Sequence, residues 1–304
     1  MQDNLHPMTN FLNEWAPDLQ DLVAITPYES LSDIERLPDG ACIFADVDRL
    51  PGSLLPAAIK VWETLSARGR SILLNRPGHS LGRRHLLTRL HATGRNQFRV
   101  GGVEEPVASW RFPVFIRHST EHAGSLTGLI ATPQHLTAEI ARLIDAGHDP
   151  TTLLVVEFAD VSDDGLFRKY AAFRIGDTIL AHHVMIAQSW EVKGPSLVSA
   201  QFVDEERAFQ RSNPHEADVR AAFDLGGIQF GRMDYGLVDG KVQVWEINTN
   251  PTFLYPPDRY DAIQMPSKTW FNTEVHRLLR QLAQAERGKA AALTHWARRL
   301  FARR

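Results

Sequence analysis

The stretch that decides the fold is Phe230-Gly-Arg-Met-Asp-Tyr-Gly236, followed after a short turn by Val244-Trp-Glu-Ile-Asn-Thr-Asn-Pro251. Both segments read as strands, and four polar side chains stand close together on them: Arg232, Asp234, Glu246 and Asn248. Carboxylate and amide oxygens are the ligands that a hard cation such as Mg²⁺ prefers. An arginine beside them indicates that the ion is bound together with phosphate.

The turn between the two strands decides whether these side chains meet. Side chains alternate along a strand, so the two polar residues of each segment share one face. A two-residue loop, 239–240, turns Glu246 to the face opposite Asp234. A three-residue loop, 238–240, leaves all four polar groups on one face, with Arg232 opposite Glu246. We therefore predict the three-residue loop.

Composition indicates an ordinary soluble globular protein. The chain has 304 residues, of which 43% are hydrophobic and 23% charged, and its net charge is −3. This charge offers no basic field for nucleic acid, and no apolar run approaches the roughly 20 residues that span a bilayer. The single cysteine, Cys42, excludes an internal disulfide, and the N-terminus lacks the pattern of a signal peptide. We expect a cytoplasmic protein without nucleic-acid or membrane partners.

The first third of the chain alternates strand and helix signals. Residues 40–47 read as a buried strand, 54–68 as a helix stopped by glycine, 71–75 as a second strand, and about 82–93 as a second helix. Strand, helix, strand, helix predicts an open parallel sheet, whose ligands usually lie beyond the carboxyl ends of its strands.

The middle of the chain predicts a small α+β unit. Residues 113–117 read as a strand, a helix begins at Thr132-Pro133, and 153–158 read as another buried strand. Further along, 169–175 and 178–185 predict a hairpin across Gly176-Asp177.

The end of the chain predicts helix. One helix is expected to begin near Thr273, because apolar residues follow at helical spacing. The basic tail, 287–304, reads as a surface helix packed by its apolar stripe, with a helix for membranes or acidic partners as the alternative.

In this order of signals the chain resembles the ATP-grasp superfamily, and most closely the ATP-binding domains of glutathione synthetase, ribosomal-protein-modifying and D-alanine ligases. The resemblance extends over most of 75–251, and its specific part is Arg232-x-Asp234 followed by Glu246-x-Asn248. It implies an ATP-grasp architecture of mixed α/β and α+β class. Its parts are an N-terminal open parallel α/β unit (1–110), a small α+β lid (111–158) and a C-terminal α+β unit with the metal site (159–304).

The resemblance also implies roles for individual residues. It implies that Asp234, Glu246 and Asn248 bind two Mg²⁺ ions, with Mn²⁺ as an alternative, between the β- and γ-phosphates of ATP. It assigns Arg232 to the transferred phosphoryl group, as the catalytic residue. The implied nucleotide contacts are Arg83 (or its neighbour Arg84), Arg117, Glu157, Phe158 and Lys169 (with Arg168 beside it).

Two departures from the family pattern concern the phosphate end. Arg117 stands where a lysine is usual, so a planar fork replaces a point charge. The loop after it should be rich in glycine, so that backbone amides can approach phosphate, yet it contains His118, Glu121 and His122 among few glycines.

The activity implied by the resemblance is that of an ADP-forming carboxylate–amine (or related) ligase. A small-molecule or peptide carboxylate would be phosphorylated to an acyl phosphate, which an amine or another nucleophile would then attack. Relatives are commonly homodimers. Two alternatives stay open: a small-molecule kinase that stops at phosphate transfer, and a nucleotide-binding module with reduced or lost catalysis.

Several other side chains have two readings. His182 and His183 are neighbours on a predicted strand and so face opposite ways, which keeps them from sharing a metal ion. We expect one to pack and the other to face solvent or substrate. Trp190 and Lys193 are candidate substrate contacts, or else a loop anchor and a surface charge. Asn250 faces substrate or only shapes its Asn-Pro turn.

Overall fold

The strands of the described residues form three sheets, and each sheet is built from a different part of the sequence. The structure, a computed structural model, describes residues 6–31, 39–121, 124–192 and 196–301, with residues 6 and 285–301 described by their backbone alone. Within these ranges the helices are α1 (His6–Glu14), α2 (Leu55–Arg68), α3 (Arg83–Ala92), α4 (Pro133–Asp145), α5 (Ala200–Ser212), α6 (Glu216–Gly226) and α7 (Met265–Phe301). The strands are β1 (Ala41–Ile43), β2 (Ile72–Leu74), β3 (Val100–Gly102), β4 (Val114–His118), β5 (Leu153–Glu157), β6 (Ser162–Asp163), β7 (Leu166–Ile175), β8 (Thr178–Ala187), β9 (Phe230–Val238) and β10 (Lys241–Asn248).

The first sheet is the predicted parallel α/β unit, in a small form. β1 and β2 pair in parallel, with Ala41 opposite Ile72, and α2 connects them. Gly69 ends α2 in the left-handed conformation that favours glycine, with a φ of 66°. β1 is shorter than the predicted 40–47, because the chain turns at Asp46, whose φ is 55°. In the described residues this sheet has two strands.

Asn75, directly after β2, ties this first unit to the beginning of β9. Its side-chain oxygen accepts the N–H groups of Gln229 and Phe230, both at 2.9 Å. Its amide nitrogen donates to the carbonyl oxygens of Phe44 at 3.1 Å and Phe230 at 2.8 Å. The residue is fully buried, so these bonds satisfy polar atoms that water cannot reach.

The second sheet, which we call the lid sheet, contains β3, β5 and β4 in that order, all antiparallel. α4 covers it, and the Thr132 hydroxyl caps this helix by accepting the N–H of His135. The apolar side chains that pack between helix and sheet include Val114, Ile116, Leu136, Leu143 and Val155. A strand and helix unit is therefore present where it was predicted, although β3 lies before residue 111 and the domain boundaries stay predictions.

The third sheet, which we call the central sheet, contains β6 to β10. β7 is its middle strand: it pairs with β8 on one side and with β9 on the other, and β9 pairs with β10. Ile175 lies opposite Thr178 across the turn at Gly176-Asp177, which confirms the predicted hairpin. α5 and α6 cover one face of this sheet, where the buried side chains include Phe209, Val219, Phe223, Met233 and Tyr235. The mixed α/β and α+β fold class is thus confirmed.

The turn between β9 and β10 has two residues, so the predicted three-residue loop is wrong. Val238 pairs with Lys241, and Asp239 and Gly240 have φ angles of 50° and 72°. Left-handed conformation at both central positions is typical of the hairpin turn whose twist matches the flanking strands, and Asp-Gly is a preferred sequence for it.

A β-bulge at Trp245 nevertheless brings the four polar residues to one face. The register shifts between Val244 and Glu246, so Trp245 is an extra residue in β10. Asp234 then lies opposite Glu246, and Arg232 lies opposite Asn248. The predicted pairing of Arg232 with Glu246 is wrong, but the predicted common face is present.

A second β-bulge lies in β8 at His182. Ala171 pairs with His183 while Ala172 pairs with Ala181, so His182 is the extra residue. The alternation of side chains fails at such a position. The prediction that His182 and His183 face opposite ways is therefore wrong, because both line the same cavity and their ring centroids are 4.3 Å apart.

α7 begins at Met265, about two turns before the predicted start near Thr273. Pro266 lies in its first turn, a position that proline tolerates. Phe271 and Val275 pack with Phe11 and Phe253 in a second apolar core. The early start places two buried polar residues, Ser267 and Lys268, on the same helix. Among the described helices none has both the length and the hydrophobicity needed to cross a membrane.

Candidate active site

A cavity of about 1060 Å³ is lined by residues of both the lid sheet and the central sheet. It collects most of the predicted site residues: Arg117, Glu157, Phe158, Lys169, Arg232, Asp234, Glu246 and Asn248. Arg83, the remaining residue of the predicted site, does not line it. His122 and Lys193 lie outside the described residues.

Asp234 is buried and is held by two cations. The Arg232 guanidinium donates from Nε to Oδ1 at 2.8 Å and from an Nη to Oδ2 at 3.4 Å. The Lys169 ammonium lies 3.6 Å from Oδ2. Burial lowers the pKa of Arg232, but the charge of Asp234 and the hydrogen bonds to it raise this pKa above its ordinary value. Arg232 thus stays charged beside the carboxylate.

Glu246 is also held by two cations, which approach the same oxygen. Arg83 donates to Oε2 at 2.6 Å and Arg117 donates to it at 2.8 Å. The Nε of Arg117 is buried and has no hydrogen-bond acceptor among the described residues. A guanidinium has five N–H groups, so Arg117 has the capacity to bind a further anion.

Arg83 links Glu246 to the end of β4 and to the loop after it. Besides Glu246 it binds the carbonyl oxygens of His118 at 2.7 Å and Glu121 at 2.8 Å. Burial lowers its pKa, and the charge of Glu246 opposes this effect. These contacts fix the start of the loop after β4. Its neighbour Arg84 instead forms a half-exposed pair with Glu104, so the two arginines are not interchangeable here.

Asn248 offers its side-chain oxygen at the same wall. This oxygen accepts the N–H of Asn250 at 2.8 Å, and the amide group of Asn250 donates to Asp46 at 2.8 Å. Asn250 therefore orders the turn and contacts the first unit, and it does not line the cavity. The oxygen of Asn248 retains a second lone pair for a ligand.

Glu157 and Phe158 stand at the predicted nucleotide hinge, but the Glu157 carboxylate is engaged by backbone. Its two oxygens accept the N–H groups of Arg99 at 3.0 Å and Arg111 at 2.9 Å. Phe158 lines the cavity together with Phe115 and Trp190, and the ring centroid of Trp190 lies 5.0 Å from that of Phe115 and 5.9 Å from that of Phe158. These rings form an aromatic wall.

The two basic residues of β7 separate. Lys169 lies in the cavity, whereas Arg168 pairs with Glu205 at 2.7 Å and does not line the cavity. The sequence pattern alone did not distinguish these two residues. In the structure Ala171 lies opposite Asp234. Because side chains alternate along β7, Lys169 shares the face of Ala171 and lies on the side of the site.

Two buried charged residues that line the cavity were not predicted from the sequence. Glu206 of α5 and Lys268 of α7 form a buried ion pair of 2.5 Å, and the Ser267 hydroxyl donates to the same carboxylate oxygen at 2.5 Å. A signal was available for Lys268, because it precedes Phe271 and Val275 at helical spacing on the apolar stripe of α7. A charge on such a stripe is buried and needs a partner.

Comparisons with known proteins gave matches among solved structures alone. No protein-family model matches the chain, and no curated protein sequence does. Among solved structures it is similar to a D-alanine–D-alanine ligase from Bacillus anthracis, at 12% identity and a TM-score of 0.49 over 89% of this chain and 87% of that one. A D-alanine–D-alanine ligase from Coxiella burnetii is similar at 13% identity and a TM-score of 0.43, over 79% of this chain and 69% of that one.

The ATP-grasp ligase PsnB, in complex with a minimal precursor, is similar at 16% identity and a TM-score of 0.44, over 71% of this chain and 68% of PsnB. A likeness at this level of identity identifies neither substrate nor functional residues.

Proposed function

We propose that this protein is an ATP-dependent, ADP-forming ligase that joins a carboxylate to an amine or a related nucleophile. The observation that carries the proposal is the pairing of Asp234 with Glu246 across β9 and β10, beside Asn248 and in one cavity with Arg232 and Lys169. Two carboxylates and an amide among cations are suited to hold a metal-bound polyphosphate.

The donor set fits Mg²⁺. The side-chain oxygens of Asp234, Glu246 and Asn248 would hold two Mg²⁺ ions, or Mn²⁺ in their place, and when bound the metal would neutralise charge on the β- and γ-phosphates. Among the described residues no group of three His, Cys, Asp or Glu could hold an ion alone. Mg²⁺ sites commonly combine one or two carboxylates with substrate phosphate and water, so this agrees with a nucleotide-dependent site.

The cations of the cavity supply the rest of the charge balance. Arg232 and Lys169 now contact Asp234, and Arg117 contacts Glu246. With a metal held by the two carboxylates, these cations would be available to phosphate oxygens, and the Nε of Arg117, which has no acceptor among the described residues, would add a donor. Fixed positive groups around the transferred phosphoryl are the main means of accelerating its transfer.

The reaction requires no side-chain nucleophile. Transfer of the γ-phosphoryl group to a substrate carboxylate breaks its bond to the β-phosphate oxygen and releases ADP. The nucleophile then attacks the acyl carbon and phosphate leaves. The aromatic wall of Phe115, Phe158 and Trp190 offers a surface against which a flat base such as adenine can pack.

ADP release from the full-length protein, with Mg²⁺, ATP and mixtures of small acids and amines, tests the proposal. We expect Glu246→Gln and Asp234→Asn to lower the rate at least about 100-fold, because the metal loses a charged ligand. Glu216→Gln, a change at an exposed carboxylate of α6, is the matched control and should keep the rate.

Equal rates in the wild type and Glu246→Gln would contradict the enzyme proposal and leave a nucleotide-binding module. A stable phosphorylated product, in place of an amide and free phosphate, would identify a kinase.

A further inference from the structure

The bulge at His182 creates a pair of adjacent imidazoles that the phosphate chemistry does not use. His182 is 4% exposed, and its ring packs between Phe173, at a centroid distance of 5.0 Å, and Phe271, at 4.1 Å. The ring of His183 contacts it, and both residues line the cavity. Because a regular strand would separate two neighbouring side chains, the bulge is what brings both rings to one place.

Three ring nitrogens of this pair are buried without a hydrogen bond of ordinary geometry to any described residue: Nδ1 and Nε2 of His182 and Nε2 of His183. The backbone of Phe253 makes a hydrogen-bonding contact with the His182 ring that raises its pKa, but burial and the charges of Arg232 and Lys268 lower that pKa by more. A buried polar atom without a partner costs about 1–3 kcal/mol, so such a cluster calls for a ligand.

Three cations, Arg232, Lys268 and Lys169, act on the rings of the pair, although each also has a carboxylate partner. Burial lowers the pKa of both rings well below the ordinary value, and the charges of Arg232 and Lys268 lower it further, with Lys169 also acting on His183. Both rings are therefore neutral near pH 7, and a neutral imidazole has one N–H to donate. Neutral donors in a positive field favour an anion over an ammonium group.

We propose that His182 and His183 form a subsite that binds a carboxylate group of a substrate through their N–H groups, with the ammonium of Lys268 nearby. The proposal rests on the proposed ligase function for the identity of that substrate: the carboxylate belongs either to the acid that is phosphorylated or to the incoming nucleophile. The subsite itself needs neither ATP nor metal, so binding to it is measurable without them.

Ring-¹⁵N-histidine labelling of the full-length protein tests binding directly. Sodium acetate, L-alanine and sodium succinate are titrated separately at pH 7.5, and L-alaninol, which lacks the carboxylate, is the matched control ligand. We expect saturable shifts of the His182 and His183 ring nitrogens with at least one acid, at Kd values in the millimolar range or below, and none with L-alaninol.

Substitutions identify the residues. His182→Phe and His183→Phe each keep an aromatic ring in place, and each should weaken acid binding at least tenfold. If one of these variants fails to fold, His183→Asn is measured in its place. His215→Phe, a half-buried histidine outside the cavity, is the control and should leave the affinity unchanged. The proposal is overturned if no acid saturates below about 100 mM, if L-alaninol shifts the rings equally, or if the variants bind as the wild type does.

Trapping with hydroxylamine then separates the two sources of the carboxylate. If the pair binds the acid to be phosphorylated, the variants lose hydroxamate formation and show a raised KM for the acid at an unchanged KM for ATP. If it binds the nucleophile, hydroxamate forms normally and only the amide product declines. Binding without any ADP release would overturn the ligase proposal and keep the subsite, whereas ADP release with unaltered acid binding in the variants would do the reverse.

Discussion

The two ends of the cavity differ in how their buried polar groups are paired. At the phosphate end, Asp234 and Glu246 each contact two cations, so the carboxylates are neutralised before any ligand arrives. At the other end, His182 and His183 present uncharged rings, and three buried nitrogens of these rings make no hydrogen bond of ordinary geometry among the described residues. On the proposed function, the first end would exchange existing ion pairs for metal and phosphate, whereas the second would only gain hydrogen bonds.

This difference has an energetic consequence. Ion pairs that already exist have covered the cost of burying their charges, so a ligand gains only the difference between two sets of contacts. Unsatisfied nitrogens offer the whole free energy of a new hydrogen bond. We therefore expect the phosphate end to depend on the charge of its ligand and the histidine end on the geometry of its ligand.

The largest expected effect concerns the ion pair that borders the histidine end. Lys268→Met leaves Glu206 buried with no cation, and the free energy of unfolding should fall by about 3–5 kcal/mol. The double variant Glu206→Leu with Lys268→Met should lose less than this, because no charge is left uncompensated. Urea unfolding of both proteins measures the difference, and a double variant less stable than Lys268→Met would refute this account of the pair.

A somewhat smaller effect distinguishes the two arginines on Glu246. Arg83→Met removes a buried cation and leaves the carbonyls of His118 and Glu121 without their donor, so we expect a loss of about 2–4 kcal/mol in unfolding free energy. Arg117→Met should cost only about 1 kcal/mol in stability but raise the KM for ATP.

Thermal unfolding and steady-state kinetics of the two variants provide the measurement. Similar stability losses in the two variants would contradict the distinction between the two arginines. A raised KM for ATP in Arg83→Met alone would show that their roles are reversed.

The pH dependence of stability reports on the histidine end. The pKa of both rings is lower in the folded protein than the unfolded value of about 6.5, so the unfolded chain takes up protons first as the pH falls. The stability contribution is complete above about pH 6.5 and declines below it, by about 2 kcal/mol between pH 7 and 5.5 for the pair. His182→Phe/His183→Phe should show a flatter profile in urea unfolding over this range, and parallel profiles would contradict the neutral pair.

The smallest expected effect concerns the turn that sets the register of the phosphate end. Asp239 has a φ of 50°, so Asp239→Val should cost about 1–2 kcal/mol, because a branched side chain disfavours left-handed backbone. Asp177→Val, in the other hairpin of the same sheet, is a matched control: there the left-handed residue is Gly176. Chemical denaturation of both variants compares them, and equal costs would argue against the two-residue turn.

Sequence reasoning reached the elements that local patterns specify. The hairpin across Gly176-Asp177 and the cap at Thr132 follow from turn and helix signals, and the common face of Asp234 and Glu246 was predicted correctly from a wrong loop. Neither β-bulge was predicted from the sequence, because a bulge depends on what packs beside the strand. Gly236 illustrates this: a side chain there would meet the Trp245 ring at 2.8 Å, so the bulged tryptophan needs a bare backbone on the neighbouring strand.

Long-range pairing was likewise beyond the sequence patterns. The apolar stripe of α7 indicates that Lys268 is buried, but its partner Glu206 lies far away in the chain on α5 and is identified only by the structure. Arg83 was assigned to the nucleotide because a basic residue usually begins that helix in the family, whereas its contacts here are with Glu246 and two loop carbonyls. Whether it also contacts nucleotide stays a prediction.

Asn75 restricts how the cavity could open. Its four side-chain hydrogen bonds join the first unit to the chain immediately before Arg232 and Asp234, so these bonds oppose a separation of the first unit from β9. On the proposed function, a movement that admits a nucleotide would therefore involve the lid sheet, on the other side of the cavity, and would leave the contact between the first unit and β9 in place.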